Sequence, residues 1–94
     1  MTLDIPLNRI GNPLVFFSRL GYHRETNGSF AKRVARLPFP RFHVYLDISQ
    51  ESVRVNLHLD AKKPSYQGTS AHAGEYDGEV VEREMERIKQ NAGL

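Results

Sequence analysis

The sequence predicts an α+β domain: a two-layer sandwich in which a three-stranded antiparallel sheet carries two helices on one face, in the order α-β-β-β-α. Three observations carry this expectation. From Phe42 to Ile48 and again from Val53 to Asp60 apolar and polar residues alternate, the period of a half-buried strand. A short apolar segment follows the helix-start pair Asn12-Pro13. Val81, Met85, Ile88 and Ala92 recur at i, i+4, i+7 and i+11, a single helical stripe.

The first helix should open with Asn12 as N-cap and Pro13 at its first position, run through "PLVFFSRL" and stop at Gly21. Apolar residues fall on nearly all its sides, which predicts that it is largely buried. "YHRETNGSFAKRV" reads as a strand or hairpin edge around the turn pair Asn27-Gly28. "LPFPR" is a connection, because its prolines fix φ and remove donors.

Next comes the hairpin. Phe42, Val44, Leu46 and Ile48, then Val53, Val55, Leu57 and Leu59, form its apolar face. A turn at Gln50-Glu51 sets Asp47 opposite Arg54, Tyr45 opposite Asn56 and His43 opposite His58. The Asp47–Arg54 pair supports that register, since opposite charges across a ladder attract. Sliding by one residue would put apolar side chains opposite polar ones and is dismissed, whereas a slip of two stays open. Residues 61–76 read as a long loop, of a length that is uncommon in compact domains unless functional or disordered. Asp77 can cap the last helix, Gly93 ends it, and Glu79–Arg83, Glu84–Arg87 and Glu86–Lys89 are exposed pairs at helical spacing.

With 94 residues, 39% of them hydrophobic and 26% charged, the chain has the composition of a single ordinary globular domain. It contains no cysteine, so disulfides, thiolate zinc sites and cysteine nucleophiles are excluded. "MTLDIPLNRIGNP" lacks the basic and apolar regions of a signal peptide, and no apolar run approaches the ~18 residues that span a bilayer. The expectation is a cytoplasmic protein without a membrane partner.

The net charge of +2 does not by itself imply nucleic acid. Its distribution is uneven: seven Lys/Arg against three Asp/Glu in residues 1–47, six against eight in 48–94. Lys32, Arg33, Arg36 and Arg41 are the candidates for meeting phosphate, or else a solvated strand and turn.

The outward face of the hairpin is the candidate surface site: His43, Tyr45, Arg54, Asn56, His58 and Asp60, flanked by Lys62, Lys63 and Tyr66 from the long loop. One use is metal binding. His43, His58, Asp60, His72 and Glu75 supply imidazoles and carboxylates that suit a divalent metal such as zinc, and His58 and Asp60 at i, i+2 share one strand face. A second is proton transfer by the histidines, with the lysines neutralising a phosphate, as in a small hydrolase or nuclease. A third is recognition without catalysis, with exposed rings stacking on bases and arginines on phosphates. Burial against a protein partner or in a homodimer would make the histidines structural. The preferred reading is a small binding or interaction module, with nucleic acid as a candidate ligand. The alternative is the hydrolase built on His43, His58 and His72.

The words "SRLGYHRETNGSF" resemble the stretch of HicA-type toxin domains in which a helix ends in Leu-x-Gly-aromatic and leads into Gly-Ser-His. "RIKQNAGL" is similar to that family's C-terminal helix. The resemblance implies the α-β-β-β-α topology shared with double-stranded-RNA-binding domains. It implies no ribonuclease residue, because Phe30 stands where the family has its catalytic histidine. The lysine cluster with which double-stranded-RNA-binding domains open their last helix is replaced here by Glu75, Asp77, Glu79, Glu82 and Glu84.

Overall fold

The structure, a computed structural model, describes residues 1–61, 75–76 and 78–94. In chain order the elements are β1 (Thr2–Pro6), α1 (Leu7–Ile10), α2 (Pro13–Arg19), β2 (His23–Arg24), β3 (Phe30–Arg33), β4 (Arg41–Ile48), β5 (Ser52–Asp60), β6 (Glu75–Tyr76) and α3 (Glu79–Asn91). The strands form one antiparallel sheet of order β1-β5-β4-β3-β2, and the short β6 pairs with Leu59 and Asp60 of β5, which β1 does not reach.

The expectation of three strands and two helices is therefore corrected. Five strands lie side by side, a sixth is added at the end of β5, and there are three helices among the described residues. The class remains α+β. Most of the difference lies at the N-terminus. "TLDI" alternates over four residues only, too short for periodicity to identify, and Pro6 ends it. What makes it a strand is remote in sequence: Leu3 and Ile5 stand opposite Val55 and Val53 and extend the apolar face of the hairpin. "YHRETNGSFAKRV" resolves into two strands. Gly28 takes the turn at φ +90°, and the Glu25 N–H donates to the Ser29 carbonyl at 2.7 Å.

The β4–β5 register is as predicted, with His43 opposite His58, Tyr45 opposite Asn56 and Asp47 opposite Arg54. The salt bridge inferred from it is different. Arg54 forms a two-pronged bond to Asp4 of β1, at 2.8 and 3.2 Å, rather than to Asp47. That bond holds the Asp4 carboxyl below its ordinary range and raises the guanidinium.

Asn12 caps α2 through its side-chain oxygen, which accepts from the Leu14 and Val15 N–H groups at 2.9 and 3.3 Å. Gly21, at φ +99°, takes the chain out of the helix. The expected near-complete burial of α2 is not found: Pro13 and Phe17 are buried, whereas Val15 is 44% exposed. The helix lies at the β2 edge of the sheet, where only one stripe has anything to pack against.

In α3 the predicted stripe of Val81, Met85, Ile88 and Ala92 is fully inside. The N-cap position belongs to Gly78, which makes no side-chain cap, and Asp77 lies outside the described residues. Glu79 and Arg83 pair on the surface at 2.6 Å, but Glu84 is buried rather than exposed. Phe17 from α2, the α3 stripe and the apolar face of β1, β4 and β5 form one core, so both longer helices cover the same side of the sheet. No described helix is long and apolar enough to cross a membrane.

Candidate functional site

The side of the sheet away from the helices is set out in rows by the strand registers. One row runs His23, Ala31, His43, His58 across β2, β3, β4 and β5. The next, toward one end of the sheet, is Arg33, Arg41, Asp60. On the other side of the histidine row lie Tyr45, Asn56 and Thr2, and beyond them Asp47, Arg54 and Asp4. Alternation along each strand puts all of these side chains opposite the core.

His43 is not the surface residue that its position predicts: it is only 8% exposed. Its Nδ1 lies 2.9 Å from Asp60 Oδ2 and its Nε2 lies 2.7 Å from Ser29 Oγ. Ser29 is 4% exposed, and its hydroxyl donates to Asn27 Oδ1 at 2.6 Å, while its N–H donates to the same oxygen at 3.0 Å. The imidazole thus ties the β2–β3 turn to the end of β5. A carboxylate, an imidazole and a hydroxyl stand in the order used by hydrolytic triads. However, the Ser29 proton is committed to Asn27, and both Ser29 and His43 are shielded from solvent.

Tyr45 is an exposed ring of the site, as is His23 at its β2 edge. It stacks on His43 with ring centroids 4.7 Å apart and 23° between planes, and its neighbour His58 meets it edge-on at 5.9 Å. Because His43 is fixed at both nitrogens, the plane on which Tyr45 rests is fixed too. Tyr45 remains 45% exposed.

Beside the histidine row, a cleft of about 270 Å³ is bordered by His23, Glu25, Ala31, Arg33, Pro38 and Arg41. Arg41 donates to Glu25 at 3.0 Å, lies 3.6 Å from Asp60, and stacks over the Phe39 ring at 5.0 Å. Arg33 is exposed and bonds the carbonyl of Arg36, itself exposed, at 3.4 Å. Lys32 also borders the cleft, but it belongs to the helix side: it stands opposite Phe42, and its ammonium lies 5.9 Å from that ring. The four-cation segment read from sequence is therefore split between the two faces of the sheet.

Of the predicted site residues, His43, Tyr45, Arg54, Asn56, His58 and Asp60 do share one face. Lys62, Lys63, Tyr66 and His72 lie outside the described residues, and Glu75 is placed by its backbone alone, opposite Asp60. Among the described residues no three His, Cys, Asp or Glu side chains converge to hold a metal. Any ligand role for His43 has to displace Ser29 or Asp60. Sequence reasoning missed Ser29, Asn27, His23 and Glu25. The signal for Ser29 was available, since the outward alternation of Ala31 and Arg33 extends back to it. Phe30, in the position that the HicA pattern gives to histidine, is 1% exposed in the core.

Fold and site together define a small α+β domain with an open, ring-bearing sheet face and an arginine-lined cleft at one end. No family model, curated protein or solved structure matches the chain.

Proposed function

We propose that the chain is a small binding module for nucleic acid, which takes phosphate in the cleft between β2, β3 and β4 and lays bases over the adjoining rings. The observation that carries this reading is contiguity. The cleft with Arg33 and Arg41 directly adjoins the row that holds His43, and Tyr45 is the next outward residue of β4. Phosphate contacts supply sequence-independent affinity, and exposed rings supply stacking.

The test is a fluorescence-anisotropy titration with labelled oligonucleotides at about 50 and 200 mM salt. Binding should weaken steeply with salt. Arg33→Glu should reduce affinity about tenfold and flatten the salt slope by about one phosphate contact. Absence of binding at the lower salt, or an affinity indifferent to Arg33→Glu, would sink the reading. Sedimentation at the same concentrations separates this from a homodimer that closes the face.

A second reading, a hydrolase or nuclease, takes the Asp60–His43–Ser29 order as its starting point and requires Ser29 to be released from Asn27 and opened to solvent. Cleavage of the bound oligonucleotide that disappears in His43→Gln would move the chain to that class.

A further inference from the structure

We infer that the nucleic acid taken by this face is a single strand and not a duplex, with a base stacked on Tyr45 and the backbone passing through the cleft at Arg33 and Arg41. The inference rests on the nucleic-acid reading above and narrows it.

Charge is the first reason. Arg33, Arg36 and Arg41 gather at one end of the molecule, beside the cleft. The opposite end of the face, about 20 Å away along β4, carries Asp47, Arg54 and Asp4. There the lone guanidinium is already bonded to Asp4 through two nitrogens, and Asp47 adds a second carboxylate. A duplex presents two phosphate tracks separated by a groove about 6 or 12 Å wide. At the cleft end Arg33, Arg36 and Arg41 outnumber Glu25 and Asp60, whereas at the far end Asp4 and Asp47 outnumber Arg54, so the face offers a cationic contact to one phosphate track only. On the helix side, the first turn of α3 carries Glu79 and Glu82.

The ring is the second reason. Bases in a duplex are stacked on one another and turn only their edges outward, whereas an unpaired base can lie flat on an aromatic side chain. Tyr45 is built for the flat contact. It is nearly half exposed, is backed by His43 at 4.7 Å, and its support is held through Ser29 and Asp60. Such a ring loses little freedom when a base covers it. Arg41 and Tyr45 lie four residues apart on one strand, about 13 Å, so phosphate and base are met in succession along the strand direction.

The experiment compares one labelled oligonucleotide, single-stranded and annealed to its complement, against wild type, Tyr45→Ala, Tyr45→Phe and Arg33→Glu. Melting curves verify that each variant is folded. The single strand should bind at least about tenfold more tightly than the duplex, and Tyr45→Ala should lose about tenfold on the single strand while Tyr45→Phe keeps most of it. Equal or tighter duplex binding overturns the inference. So does single-strand affinity that Tyr45→Ala leaves intact. In either case, a loss on Arg33→Glu still upholds the broader nucleic-acid function. Failure of both forms to bind removes the function and the inference together.

Discussion

Replacing Phe17 by alanine is expected to cost about 4 kcal/mol of folding stability and to lower the melting temperature by roughly 20 °C. Phe17 is fully buried and is the point where α2 meets the rest of the core. Its ring stands edge-on to Phe16 at 5.1 Å and to Tyr22 at 5.6 Å, and tilted against Phe30 at 6.2 Å. Truncation removes the transfer energy of the ring and leaves a cavity that three aromatic neighbours, themselves held by backbone on different elements, can fill only in part. A domain of this size has about 5–14 kcal/mol in total, so one side chain consumes a large share. Urea or thermal unfolding followed by circular dichroism measures the loss, and Phe17→Leu should fall between the two. A cost below about 1.5 kcal/mol would mean that α2 is not anchored through this ring.

Glu84→Ala is expected to cost about 3 kcal/mol at neutral pH. The Glu84 carboxylate is 6% exposed and accepts from the Tyr22 hydroxyl at 2.6 Å and from Arg87 Nε and Nη2 at 2.8 and 2.9 Å. Arg87 also donates to the Leu20 carbonyl at 3.0 Å, so this cluster clamps the end of α2 and the following turn to α3. Burial alone would raise the carboxyl. The bonds from Arg87 and Tyr22, with the charges of Arg87 and Lys32, outweigh it and hold the group below the ordinary carboxylate range. Burial, with the neighbouring carboxylate, pushes the Tyr22 hydroxyl well above its ordinary value and keeps it a donor.

The pH dependence follows from the sign. A carboxyl depressed in the folded state contributes stability that is complete above its unfolded pKa and is lost as pH falls through the folded one. The gap between wild type and Glu84→Ala should therefore be widest at neutral pH and narrow below about 4.5. Denaturation midpoints of both proteins at neutral and acid pH measure it. A gap that stays constant down to pH about 3 would show that Glu84 contributes by packing and not by charge.

Much of the site was legible before folding was considered. The alternation from Phe42 to Asp60 decides which side chains share a face, because successive strand residues point to opposite sides. The turn pointed to the register that the structure has, a two-residue slip being left open, and the α3 stripe and the Asn12 cap follow from spacing and side-chain chemistry within a few residues. These are short-range regularities, and they appear in the structure as read.

What the sequence could not settle are choices between groups far apart along the chain. Arg54 had only Asp47 in prospect, and the docking of β1 brought Asp4 into bonding distance instead. His43 carried the same outward alternation as Tyr45, yet the β2–β3 turn delivered Ser29 to one ring nitrogen and β5 delivered Asp60 to the other. That made one of them a buried brace and left the other an open ring. Alternation by itself determined the face. Burial and partnership on that face were decided by tertiary structure, because each depends on whether a remote strand arrives to exclude water and offer a hydrogen bond.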